Sequence, residues 1–262
     1  MAKATFIETL RIPLVEAFKL VTRNWRIYAA SLLLVSMGLL RFLQRPNLPH
    51  ATLLQSIFVF AVSLVLLVYI AGLAVVMIAW PGVETALLKD SYVSGKAKWN
   101  RLRHYLWKYL KRLAPLLLLS LVLYLPISRL SLQVNSARLF SYLSSALSVS
   151  MSTPLIALIV IHDLSFVAGV VRTFELFKKD LLFFLSLFCL ASLNYFILNA
   201  VGPQLSRFFS PDYAVAKPGL SMAPNFSILL LSPISTFTSL YITSFSIVYL
   251  VGKKRSKKTR NK

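Results

Sequence analysis

Three histidines, one cysteine and eight carboxylates are what this chain of 262 residues offers for reaction chemistry. His50 falls in a connecting segment, His104 on a basic stretch, and His162 directly precedes Asp163. Adjacent residues do not share a helix face, so His162 and Asp163 read as boundary or capping residues rather than a metal pair or acid–base dyad. Cys189 stands alone in an apolar run, which excludes an intrachain disulfide and Cys/His metal spacing. Paired Glu/His or Asp residues inside apolar runs, which intramembrane proteolysis needs, are not seen. The expectation is no enzyme, no cofactor and no metal.

The acids read as loop or boundary residues. A proton-coupled carrier keeps an Asp or Glu near the bilayer midplane, so carboxylate-based proton coupling is not expected. Coupling to Na⁺ through carbonyl and hydroxyl oxygens stays open.

Hydroxyls are the more regular signal. Ser141, Ser144, Ser145, Ser148 and Ser152 recur at helical spacing, as do Ser232, Ser235, Ser239, Thr243 and Ser246. Two readings stand side by side. Small hydroxyl residues let helices approach closely; alternatively Ser141, Ser145, Ser148, Ser152, Ser235, Ser239 and Thr243, with Asn194 and Asn199, line a polar groove. Pro154 and Pro233 would kink or weaken the same two helices.

The elements that carry these residues follow from composition. Apolar residues are 57% of the chain and charged residues 14%, against roughly 25% in soluble domains. Mean hydropathy is +0.71. Too few polar residues remain to cover a water-facing surface, which excludes a soluble enzyme, a disordered tail protein and a disulfide scaffold. The chain reads as an all-α, polytopic transmembrane helical bundle of six spans.

The spans are about Ile27–Leu43, a segment within Ala51–Trp80, Leu113–Leu130 with Pro115 in its first turn, Leu139–Ile161, Leu181–Val201 and Ser227–Val251. They are read as helices because a spanning segment must satisfy its own backbone hydrogen bonds. The first follows Glu8, Glu16 and five basic residues, and ends at Arg41, Arg45 and Pro46, unlike a cleavable secretory signal. One membrane domain covers residues 1–252, and 253–262 form a basic tail.

Charge sets the orientation. The net charge is +21, from 29 Lys+Arg against 8 Asp+Glu. Residues 1–26, 81–112, 162–180 and the tail hold 23 of the basic residues; the alternate connections hold 6. The positive-inside rule then places both termini in the cytoplasm of a cell membrane. Trp25, Trp80, Trp99 and Trp107 fall at the same boundary, where an indole is satisfied on both its apolar and polar sides.

Basic residues on that side are candidate contacts for anionic headgroups: Lys96, Lys98, Arg101, Arg103, Lys108, Lys111, Arg112, Lys253, Lys254 and Arg255. A nucleic-acid partner is not expected. The opposite segment Gly202–Asn225, rich in proline and aromatic residues, reads equally as a cap folded onto the bundle or as a connector.

Three cytoplasmic stretches share one pattern. Phe18–Trp25, Trp107–Arg112 and Phe174–Asp180 are each aromatic-led, basic at the end, and followed by an apolar run. Upstream apolar residues keep helical spacing: Leu10, Leu14, Phe18 and Val21; Trp99, Leu102, Leu106, Tyr109 and Leu113; Phe166, Val170, Phe174 and Phe177. Pro13 is expected to start or divide the first helix, and Asp163 or Ser165 to cap the third. Each unit would be an interfacial helix followed by a helical hairpin, three times over.

These residues also carry a family resemblance. Val83–Leu119 has a helix, a Gly95-Lys96 turn and a long basic-aromatic helix entering a span. Pro154–Leu190 has Pro154, an apolar run, Asp163, Ala168, Arg172-Thr173-Phe174, Leu176 and a basic pair. Together they resemble the membrane domain attached to glycerophosphoryl diester phosphodiesterases and its free-standing six-span relatives. The Ala-Leu-Arg-Arg-Ser-Trp-like string of those relatives corresponds here to Gly169-Val170-Val171-Arg172-Thr173-Phe174. The resemblance implies a fold and a membrane location. It implies no phosphodiesterase activity, because that catalytic barrel and its His, Glu and Asp set have no counterpart in the chain.

The functional expectation is a non-enzymatic membrane protein aiding lipid handling or transport. The alternative is the permease subunit of an ATP-driven transporter, with the basic segment 81–112 docking a cytoplasmic ATPase or other membrane subunits. A third class, a membrane enzyme acting on lipid, would have to use His104, His162 and Asp163.

Overall fold

The structure is a computed structural model. It describes the backbone of residues 6–43, 53–131, 137–209 and 223–260, and side chains over 10–37, 68–116, 143–197 and 231–252. The described residues are helical throughout, apart from short connections. In chain order the helices are α1 (Phe6–Arg23), α2 (Trp25–Leu43), α3 (Leu53–Ser94), α4 (Leu102–Ser131), α5 (Ala137–His162), α6 (Phe166–Lys179), α7 (Leu181–Phe209) and α8 (Ala223–Arg260). A 3₁₀ turn, Trp99–Arg101, leads into α4.

Among the described residues, Val68–Ser94, Leu143–His162 and Leu231–Gly252 are long and apolar enough to cross a membrane. Helices α6 and α7 make a fourth candidate if taken together, but they meet at a bend of 102°. The break has a local cause: Asp180 leaves helical geometry and its N–H bonds back to the Leu176 carbonyl, closing α6. Outward faces carry large apolar side chains, among them Leu185, Leu193 and Phe196 of α7, each more than half exposed. Such a surface suits a multi-pass membrane protein whose solvent is lipid.

Helix α8 is the hub. Leu240, Ile247 and Val251 join a core with Leu20, Val21, Ile27, Val83, Leu87, Tyr109, Leu113 and Ile159. Ile242 and Phe245, on its other side, join Ala17, Ala146, Phe183, Phe184 and Leu187. The 3.6-residue period makes this double duty possible, because the two sets occupy different faces of one helix. Phe183 and Tyr249 stack at 4.4 Å between ring centres.

Glycine sets two of the close approaches. A Cβ on Gly82 of α3 would lie 2.6 Å from the Tyr109 Cβ of α4, and one on Gly169 of α6 would lie 2.6 Å from Ile159 Cγ1 of α5.

The basic segments converge on one end of the bundle. Arg23 donates to the Gly95 carbonyl, linking the α1–α2 junction to the end of α3. Lys89 Nζ donates to the Val160 carbonyl at 3.1 Å. Asp163 receives Lys108 and Arg112 of α4, both at 2.6 Å. The Tyr249 hydroxyl of α8 donates to Asp180 at 2.5 Å.

The helix, turn and helix read in Val83–Leu119 are present, but the first of these helices is not separate from the apolar stretch before it: α3 runs through Pro81 to Ser94, and residues 95–98 connect it to the 3₁₀ turn. Gly95, at φ +79°, provides the left-handed residue that ends the helix. Helix α4 continues unbroken from Leu102, so Pro115 lies in its interior and the second unit has no separate short helix of the kind that α1 and α6 form. Pro13 interrupts nothing, since α1 spans it. Ser165, not Asp163, caps α6, its Oγ accepting from Ala168 N at 3.4 Å. Asp163 instead holds φ +57°, a conformation that Asp tolerates better than most residues. Of Gly202–Asn225, the part up to Phe209 extends α7, and residues 210–222 lie outside the described set.

Candidate functional site

A cavity of about 400 Å³ opens between α2, α3, α5 and α8. Each wall follows from helical periodicity. From α2 come Ser31, Leu34 and Val35; from α3, Met77, Trp80, Pro81, Glu84 and Thr85; from α5, Val149, Ser152, Thr153 and Ile156; from α8, Ser235, Thr236, Ser239 and Thr243. Steps of three and four on every helix aim these residues at one space.

Glu84 is the only charged residue among those that line it, and it is 8% exposed. Its Oε2 accepts the Ser31 hydroxyl at 2.8 Å. Ser31 Oγ in turn accepts Trp80 Nε1–H at 2.9 Å. Thr243 also approaches the carboxylate. A buried carboxylate without such donors would cost several kcal/mol, so this small network is what lets the acid stay inside the bundle.

The walls are rich in hydroxyls, each able to accept as well as to donate. Thr236 is 6% exposed and its Oγ1 has no hydrogen-bond partner among the described residues. Pro81 has no N–H, which deprives the Met77 carbonyl of its usual donor in α3. Thr85, one turn on, bonds the Pro81 carbonyl at 2.6 Å. Apolar surface comes from Leu34, Val149 and Ile156, and Val35 and Met77 stay exposed at the rim.

The hydroxyl stripes meet here in part. Ser152, Ser235, Ser239 and Thr243 line the cavity. Ser145 turns toward Tyr195 of α7. Ser148 is exposed on α5. Asn194 is buried in α7 away from the cavity, its Oδ1 without a partner among the described residues. Ser246 bonds back to the Ile242 carbonyl at 3.1 Å and serves packing. The side chains of Ser141 and Asn199 lie outside the described residues.

The placement of the acids needs correction. Glu84 does not belong to a loop: it lies within the apolar helical stretch Val68–Ser94 and is buried. Trp80, one turn before it, also lines the cavity and gives its N–H to Ser31. The signal was in the sequence. Val83, Ala86 and Leu87 continue the apolar helical period past Pro81, and Trp80 and Glu84 are one turn apart on one face.

The candidate lipid contacts fall into four groups. Lys96, Arg101 and Arg103 are exposed and Lys98 is half-buried. Lys108 and Arg112 are engaged with Asp163, which their donated hydrogen bonds hold below the usual carboxylate range. Lys111 lies over the Trp107 ring at 5.0 Å. Lys253, Lys254 and Arg255 continue α8, and their side chains lie outside the described residues.

His104 is exposed on α4 and His162 closes α5; His50 lies outside the described residues. Among the described residues no group of His, Cys, Asp and Glu could hold a metal ion. Compared with family models, with curated proteins and with solved structures, the chain matches none.

Proposed function

We propose that this protein is a six-span, non-enzymatic membrane protein, with both termini cytoplasmic, that takes a small polar solute into a cavity between its helices as a step in transport. The observation that carries this reading is the hydroxyl-lined space around buried Glu84. An acid inside an apolar bundle is expensive to keep, and such groups mark substrate or ion paths. About 400 Å³ falls within the ~300–1,000 Å³ of small-molecule pockets.

The rest of the molecule supports the setting. The convergence of basic segments on one end agrees with the 23-to-6 division of Lys+Arg between alternate connections. Helix α1 and helix α6 would lie in the cytoplasmic headgroup layer. Ile12, Val15 and Phe18 of α1, and Val167, Val171 and Phe174 of α6, are exposed apolar residues that such a layer accepts. Lys96, Arg101, Arg103 and the tail would meet anionic headgroups there.

Thiol labelling tests the cavity. In a Cys189→Ser background, Ser239→Cys should react in sealed vesicles with a small, uncharged, water-soluble methanethiosulfonate. Leu193→Cys, on the outward face of α7, should not, because a thiolate does not form in lipid. A Ser239→Cys protein that resists the reagent from both sides of the membrane would remove the reading.

A further inference from the structure

We infer that the cavity selects an organic cation of the ammonium type, with its charge at Glu84 and its apolar part against Leu34, Val149 and Ile156. This rests on the cavity being an open solute site, and it adds the chemistry of the solute. Three independent features agree. The first is charge: Glu84 is acidic, and no Lys, Arg or His is among the lining residues. The second is a supply of acceptor oxygens. Thr236 Oγ1 is buried and unpartnered among the described residues, and the Met77 carbonyl lacks its helical donor because of Pro81. An anion would meet the carboxylate; a cation finds in the carboxylate and the hydroxyl oxygens what a shed hydration shell requires.

The third feature is Trp80. Its indole forms part of the wall, and its N–H is fixed by Ser31, which sets the ring's orientation beside the carboxylate one turn away. Indole is the aromatic surface that attracts a cation most strongly, and an aromatic face beside a carboxylate is how ammonium groups are recognised without a metal-like ligand shell. A cavity of about 400 Å³ with apolar walls also exceeds what a bare monovalent ion fills.

The test compares two charged thiol reagents on the Ser239→Cys, Cys189→Ser protein in membranes. One is trimethylammonium-ethyl methanethiosulfonate, the other sulfonatoethyl methanethiosulfonate, each rate divided by its rate with free cysteine. A focused negative site raises local cation concentration by ~10–10³-fold, so the cationic reagent should react about tenfold faster or more. Val171→Cys, on the exposed face of α6, should show no such preference, because the net charge of the chain is +21. Glu84→Gln should abolish the preference while labelling by the uncharged reagent continues.

Protection gives a second measurement on a protein that keeps Glu84. Benzyltrimethylammonium should slow labelling of Ser239→Cys by the uncharged reagent, and benzenesulfonate should not. Equal normalised rates, or a preference that survives Glu84→Gln, would overturn the cation assignment and leave the cavity standing. Protection by benzenesulfonate alone would do the same. Silence toward all three reagents would instead remove the open cavity itself.

Discussion

Ser31 of α2 gives its hydroxyl proton to Glu84 of α3 across 2.8 Å, in a place where the serine is 5% and the acid 8% exposed. The same oxygen of Ser31 accepts the Trp80 indole N–H. One hydroxyl therefore satisfies both a donor and an acceptor, and ties α2 to α3 through the acid as well as through the apolar packing of Ile27.

Removing that hydroxyl takes one donor from Glu84, which keeps Thr243, and takes from the Trp80 N–H the acceptor it uses. Ser31→Ala should destabilise the protein by about 1–3 kcal/mol, the cost of burying unsatisfied polar groups. Glu84→Leu removes the group that needed desolvating, so the double variant Ser31→Ala, Glu84→Leu should lose less than the sum of its parts. Unfolding in detergent micelles measures the four corners. A coupling of about 0.5–3 kcal/mol is expected, and additive losses would show that the two side chains do not form a unit.

Close helix approach gives a second, independent outcome. Gly82→Ala and Gly169→Ala each place a Cβ 2.6 Å from an atom of a neighbouring helix. At Gly82 the obstacle is the Tyr109 Cβ, which moves only with α4 itself. Each should cost about 1–3 kcal/mol through overpacking, with Gly82→Ala the worse of the two. Gly72→Ala meets nothing within 4 Å and should stabilise or leave unchanged the same unfolding transition.

Periodicity made the helices legible, because apolar residues at three- and four-residue steps mark a face whatever surrounds it. Helix type and approximate place were readable for every predicted span, and Ser152, Ser235, Ser239 and Thr243 were readable as one polar stripe pair. What could not be read was which breaks are real. Trp80-Pro81-Gly82 has the composition of a helix end, yet α3 continues, because Pro81 loses only one bond while Val83, Ala86 and Leu87 gain a buried seat. Misplacing that end hid Glu84. Asp180 looks no more disruptive than Asp90, yet it ends α6 while Asp90 stays inside α3 and accepts from Tyr105 at 2.6 Å. Partners distant in sequence decide such cases.

Asp163 holds the turn between α5 and α6 to α4, and its contribution depends on its charge. Its pKa is lowered by the hydrogen bond from Lys108 first, with Arg112 adding to it. A carboxylate depressed in the folded state adds stability above its unfolded pKa, and that stability is lost as pH falls through the folded value. The side chain is 61% exposed, so solvent screening holds the effect to about 1 kcal/mol or less. Asp163→Asn keeps a residue that tolerates the left-handed backbone and removes only the charge. It should melt below the parent protein at pH 7, and the gap should close as pH falls below about 4. A gap that is constant with pH would assign the effect to the turn and not to the ion pairs.

The 102° elbow at Asp180 makes depth in the bilayer a measurable consequence. If α7 crosses the membrane, α6 lies close to its plane, and the exposed residues Val167, Val171 and Phe174 of α6 meet the headgroup boundary. Leu193, about three turns into α7, then lies well inside the hydrocarbon, since each turn advances 5.4 Å. Spin labels at Val171→Cys and Leu193→Cys, in the Cys189→Ser background, report this through collision with oxygen, which prefers lipid, and with a water-soluble nickel chelate. The label on α6 should read as shallow and the label on α7 as deep. Equal depths would mean that the elbow opens in a bilayer and that α6 and α7 form one long span. The Tyr249 to Asp180 hydrogen bond opposes that opening, so Tyr249→Phe should move the α6 label toward the α7 value if the elbow is only weakly held.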